Sequence, residues 1–87
     1  MGCTEAEWLM WLPAAMGSVP WQLSPGALLA EVGAGRLRVT WRVGEPRVIA
    51  MVRLPRLHVA FGFEGVDDTV RHTFMKRFDL YMQRGGG

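Results

Sequence analysis

The run Arg36-Leu37-Arg38-Val39-Thr40-Trp41-Arg42-Val43 alternates polar and apolar residues, the period of a half-buried strand. One face carries Leu37, Val39, Trp41 and Val43; the other carries Arg36, Arg38, Thr40 and Arg42. Gly44-Glu45-Pro46 turns the chain. Residues 47–53 are largely apolar and β-branched, which predicts a second strand. Leu57, Val59, Phe61 and Phe63 then alternate with Arg56, His58, Ala60 and Gly62, a third strand that Gly65 ends. Joined by tight hairpins, these strands place Val48, Ala50 and Val52 on the core face and Arg47, Ile49, Met51 and Arg53 on the open face. Leu54-Pro55 is a poor hairpin turn. Residues 47–63 therefore also read as one bent strand, and a bulge at Pro55 returns the two-strand version.

Outside residues 36–64 the period changes to that of helices. Thr4-Glu5-Ala6-Glu7 has the spacing of a capping box. Trp8, Leu9, Trp11 and Leu12 follow at helical spacing, and Pro13, which has no N–H to return to Leu9, predicts an end or a kink. Ser24-Pro25-Gly26 reads as a second helix start, with Leu28, Leu29 and Val32 on one face and Gly33 as the stop. The competing reading is a strand over residues 28–32 that turns at Gly33-Ala34-Gly35. After the strands, Asp67 or Asp68 caps a final helix with Val70, Phe74, Phe78 and Tyr81 along one face. Arg84 and Gly85 close it.

These elements predict an α+β fold. An N-terminal helix, or two short ones, precedes a three-stranded antiparallel β-meander, and a long C-terminal helix packs on one sheet face. At 87 residues the chain is one domain. It divides into a helical and connector region at 1–35, the meander at 36–64, the helix at 66–84 and a flexible tail at 85–87. The helix–three strands–helix order is similar to that of the double-stranded-RNA-binding domain and of the small RNA-binding subunits of the signal recognition particle. The similarity is one of element order. The final helix opens with Asp67-Asp68 where the first of these families carries a basic cluster on phosphates, so no residue role transfers.

Composition adds a hint about partners. Hydrophobic residues are 49% of the chain and charged residues 21%, which argues against disorder. Four Trp, four Phe and six Met exceed what the thin core of so small a domain takes up, so part of this apolar surface is expected at an interface with a protein partner or a second copy. Trp8, Trp11 and Leu12 are the expected apolar docking residues, since Trp anchors dominate many interfaces. The net charge of +2 is uneven: residues 1–35 carry −3 and residues 36–87 carry +5. Arg36, Arg38, Arg42, Arg47 and Arg53 form the candidate charged face, with Glu31, Glu45 and Glu64 as partners for some of them. Arginine suits phosphate, so RNA or single-stranded nucleic acid is the alternative partner. That alternative lacks aromatic residues on the sheet front for bases to stack on, and the chain has one lysine, Lys76.

Catalytic and cofactor patterns are weak. His58, His72 and Cys3 have no metal-ligand spacing, and Asp68 and His72, at i,i+4, suit a local hydrogen bond. The carboxylate pairs Glu5/Glu7 and Asp67/Asp68 are explained by helix N-termini. No serine or cysteine stands in a nucleophile pattern. Met1-Gly2-Cys3 has Ala6 where a lipidation signal needs Ser or Thr. The Gly-Gly ending is that of a helix stop rather than of a ubiquitin-like modifier. We expect no cofactor, metal or small-molecule substrate, and no enzyme. One cysteine and no apolar run of membrane-spanning length point to a cytoplasmic protein. The sequence reading is thus a non-enzymatic binding or adaptor protein.

Overall fold

The computed structural model describes residues 1–86, and side chains through Gln83. The chain runs α1 (Glu5–Met16), β1 (Trp21–Ser24), β2 (Ala27–Val32), β3 (Gly35–Val43), β4 (Arg47–Ile49), β5 (Val52–Leu54), β6 (Leu57–Glu64) and α2 (Asp68–Gly86). The fold is α+β, with an antiparallel main sheet in the order β1-β2-β3-β6 and a separate two-stranded ribbon, β4-β5. The main sheet has four strands rather than three. Of the tail expected at 85–87, Gly85 and Gly86 fall within α2, and Gly87 lies outside the described residues.

α1 begins as its sequence dictates. Glu7 N–H donates to Thr4 Oγ1 at 3.1 Å, and Thr4 N–H donates to Glu7 Oε1 at 2.9 Å, so two orphan donors of the first turn are satisfied. The helix does not end at Pro13 but continues to Met16. Trp8, Leu12, Ala15 and Met16 form one buried stripe across the proline, and burying Ala15 and Met16 holds the last turn. The carbonyl that Pro13 leaves without a donor belongs to Leu9, on the exposed side of the helix.

The second helix expected at Ser24-Pro25-Gly26 is a β-hairpin. Gly26 takes φ +70, the left-handed value that glycine adopts without strain. With Pro25 before it, the four residues turn β1 directly into β2. Leu28, Ala30 and Val32 are buried while Leu29 and Glu31 are exposed. That period of two, rather than the helical spacing of Leu28, Leu29 and Val32, decides the element. Gly33 and Ala34 then lead into β3. Gly35 opens that strand where its backbone crosses Glu64 and Gly65, so closely that a Cβ there would overlap their main-chain atoms.

Residues 36–63 hold the largest correction. β3 pairs with β6, not with residues 47–53, in a register from Arg36↔Glu64 to Val43↔Leu57. The expected second strand is folded back on itself as a ribbon, Arg47↔Leu54, Val48↔Arg53 and Ile49↔Val52, turning at Ala50 and Met51. The two ladders form one long hairpin with a break. Gly44 N–H donates to the Arg56 carbonyl at 3.0 Å, after which Glu45 and Pro46 face Pro55. Prolines on both limbs supply no ladder donor, and one limb carries an extra residue, as in a bulge. Val48, Ala50 and Val52 are therefore exposed instead of lying on the core face.

Both helices cover the same side of the main sheet. Leu28, Ala30, Leu37, Val39 and Trp41 meet Trp8 and Leu12 of α1 and Phe74, Phe78 and Met82 of α2 in one cluster. Rings link the layers: Trp8 lies 5.6 Å from Trp41 and 5.8 Å from Phe78, and Phe61 meets Phe78 edge-on at 5.3 Å. Asp67 caps α2, its Oδ1 accepting from Thr69 N–H at 2.8 Å. Asp68 pairs with Arg71 at 3.2 Å, not with His72. Among the described residues no helix is long and apolar enough to cross a membrane.

Candidate functional site

The arginines expected on one face divide between two surfaces. Arg36, Arg38 and Arg42 project from the uncovered side of β3, opposite the helices. Their cross-strand neighbours differ. Arg36 stands between Glu31 and Glu64, Arg38 between Leu29 and Gly62, and Arg42 beside His58. Ala27, Thr40, Ala60 and Gly62 are the small residues of this face, and Leu29 stands exposed beside Arg38. None of the three arginines makes an ion pair within 4 Å among the described residues, where the one ion pair is Arg71–Asp68. The expected partnering with Glu31, Glu45 or Glu64 is therefore absent as a direct contact, although Glu31 and Glu64 flank Arg36 in register.

Arg47 and Arg53 belong to the ribbon, beyond the proline break. Directly paired residues share a face and neighbouring pairs alternate. Arg47 therefore lies with Ile49, Val52 and Leu54 on one side of the ribbon, and Arg53 with Val48 on the other. The two arginines cannot act together with Arg36, Arg38 and Arg42 as one plane.

The apolar docking residues are also redistributed. Trp8 and Leu12 are fully buried and Trp11 is half-buried. The first two are core residues here: their side chains close the space over β3 and against α2. Trp11 lines a shallow cleft with Met1, Cys3, Asp79 and Met82. Cys3 is buried, and burial pushes its thiol above the ordinary value, against the pull of the N-terminal ammonium.

Among the described residues, the densest run of exposed apolar side chains sits instead on the β4–β5 ribbon. Met51 is 96% exposed, Val48 61%, Val52 56%, Ile49 47% and Leu54 42%. Ala50 and Met51 hold φ of +48 and +72, so two residues that are not glycine occupy left-handed positions of a hairpin turn that favours Asn-Gly. That arrangement costs about 1–2 kcal/mol per residue. Sequence reasoning missed this arm because no Gly, Asn or Asp marks its turn. The usable signal was Pro46 and Pro55: a segment bracketed by prolines is a poor central strand.

A second surface is the outer edge of β6, the last strand of the main sheet. Leu57 exchanges both of its backbone hydrogen bonds with Met1 there, so its N–H and carbonyl point away from β3. Alternation places those of Val59, Phe61 and Phe63 on the same edge. Among the described residues none of the three has a partner on that side.

Among the described residues no three His, Cys, Asp or Glu side chains come together to hold a metal ion. No protein-family model, no curated protein and no solved structure matches this chain.

Proposed function

We propose that this chain is a small, non-enzymatic docking protein of the cytoplasm, acting through protein–protein contact, with the β4–β5 ribbon as its arm. The observation that carries the reading is the apolar exposure of that arm on both faces. A two-stranded ribbon alone in water is marginal, and this one gains little from the rest of the chain. Transfer of Val48, Ile49, Met51, Val52 and Leu54 into a partner supplies about 1–2 kcal/mol each, since all but Met51 are already part-covered. Five such contributions total about 5–10 kcal/mol against an association cost of at least about 4 kcal/mol, and the remainder of at most about 6 kcal/mol corresponds to a complex in the tens of micromolar at its tightest before charged contacts are added. The partner presents an apolar groove, with carboxylates at its rim for Arg47 and Arg53.

The test compares the chain with an Ile49→Asp/Val52→Asp variant as bait in native extract. Neither residue contributes to the buried core, so the variant keeps the circular dichroism spectrum of the parent. A protein retained in stoichiometric amount by the parent and lost by the variant supports the reading. Equal retention by both, or none by the parent, refutes it.

One observation favours the alternative, RNA or single-stranded nucleic acid on the open sheet face: Arg38 and Arg42 are exposed with no carboxylate opposite either. Against it, Arg36 stands between two glutamates. Fluorescence anisotropy at roughly 50 and 200 mM salt separates the two readings, since several phosphate contacts weaken ten-fold or more over that range. Salt-sensitive binding abolished by Arg38→Glu/Arg42→Glu moves the function to that face.

A further inference from the structure

We infer that two copies of this chain pair antiparallel through the outer edges of β6, joining their four-stranded sheets into one sheet of eight. This surface is distinct from the arm, and the inference stands or falls apart from the docking function proposed above.

An open edge strand is a template for another strand, and proteins normally protect it with a lysine, a proline, a bulge or an inward charge. β6 is eight residues long, LHVAFGFE, and carries none of these between Val59 and Phe63. The outward-facing groups narrow the register. With Leu57 engaged by Met1, the free outward N–H and carbonyl groups on this edge belong to Val59, Phe61 and Phe63. A two-fold axis at Phe61 sets Phe61 opposite Phe61 of the second copy, and Val59 opposite Phe63 in both directions. Each of these pairs exchanges two hydrogen bonds, and the Leu57–Met1 bonds stay intact. An axis at Ala60 would pair Leu57 with Phe63 and displace Met1.

The side chains agree with that register. On the uncovered face Ala60 meets Gly62, so nothing obstructs the close, non-hydrogen-bonded pairs. His58 falls opposite Glu64 at both ends, a polar pair of complementary character. On the helix side Val59, Phe61 and Phe63, all half-exposed in the single copy, cover one another, and aromatic cross-strand pairs of this kind are favourable. A contact of one strand with one strand is small for a specific interface, so the dimer is expected to dissociate on the order of micromolar.

Sedimentation velocity over roughly 1–200 µM tests it, a range that brackets such a Kd. The full chain is expected to pass from one copy to two. Val59→Lys, an edge charge, is expected to raise Kd more than about ten-fold. A second variant does not depend on how the lysine is tolerated. Ala60→Cys/Gly62→Cys in a Cys3→Ala chain places thiols in facing pairs, and a Cβ at Gly62 meets no atom closer than 3.8 Å. Mild oxidation is expected to give a covalent dimer, and Ala60→Cys alone is expected to give none. A parent chain that stays single throughout overturns the inference. So does a dimer that the lysine leaves unchanged and the paired cysteines do not cross-link.

Discussion

Two tryptophans in contact give the sharpest test of the core. Trp8 is fully buried, and its Nε1 has no hydrogen-bond partner. Trp41 is 6% exposed, and its Nε1 donates to Glu5 Oε2 at 2.9 Å. Changing either to Phe removes the same atoms: part of the fused ring and one N–H. The lost packing costs about 1–2 kcal/mol in both cases. The N–H acts in opposite directions. At Trp8 its removal relieves an unpaired buried donor, worth about 1–3 kcal/mol, so Trp8→Phe is expected to be near neutral. At Trp41 it removes a bond to a carboxylate, worth about 1.5–3 kcal/mol and at the lower end here because Glu5 is exposed. Trp41→Phe is thus expected to cost about 2–4 kcal/mol, against a total of roughly 4–13 kcal/mol for a domain of this length. Urea titrations followed by circular dichroism, at one protein concentration, measure the difference. With m near 1 kcal/mol/M for a small protein, the midpoints separate by about 2–4 M. Glu5→Ala should lose most of its effect in the Trp41→Phe background, because both changes remove the same bond. A Trp8→Phe variant as destabilised as Trp41→Phe would refute the assignment of the two indoles.

Gly35→Ala is expected to destabilise by about 3 kcal/mol or more, because the new Cβ meets main chain that cannot rotate away; thermal unfolding checks it, and a Tm within a few degrees of the parent contradicts it. Cys3 titrates above its ordinary value of 9.0 in the folded chain, so the folded state holds the proton more tightly than the unfolded one. Its contribution is complete below pH 9 and is lost as pH rises through the folded value. Stability should fall above pH 9, and Cys3→Ala should flatten that slope in urea titrations run from pH 7 to 10. Replacing Ala50-Met51 by Asn-Gly removes two left-handed residues from the arm's turn and should stabilise the arm by about 1–2 kcal/mol per residue, read as slower hydrogen exchange over residues 47–54 without change elsewhere.

Local signals that act within a few residues were legible in the chain. The Thr4–Glu7 box, the alternation through β3 and β6 and an acidic cap at Asp67 or Asp68 each report chemistry that the segment completes by itself. Two errors came from competition between such signals. Ser24-Pro25-Gly26 suits a helix N-terminus and a reverse turn equally well, and what decides is pairing with residues 36–40, outside the segment. Residues 47–53 have strand composition, but β3 is already paired on both sides by β2 and β6, so the segment is left to pair with itself. The candidate site follows the same division. The exposure of Arg36, Arg38 and Arg42 was readable from alternation. The burial of Trp8 and Leu12 was not, because an apolar helix reads alike whether it closes a core or meets a partner. The arm escaped notice because its turn is built from two residues that give no turn signal.

The central claim, that the arm is a free docking surface and not part of the folded core, is tested most directly by hydrogen exchange of the chain alone, resolved by residue. The account predicts that amides of residues 47–54 exchange orders of magnitude faster than the β3–β6 amides at residues 36–42, because an isolated two-stranded ribbon opens without unfolding the sheet. Protection of the arm equal to that of β3 would mean that it is held by the rest of the chain, and would contradict the claim.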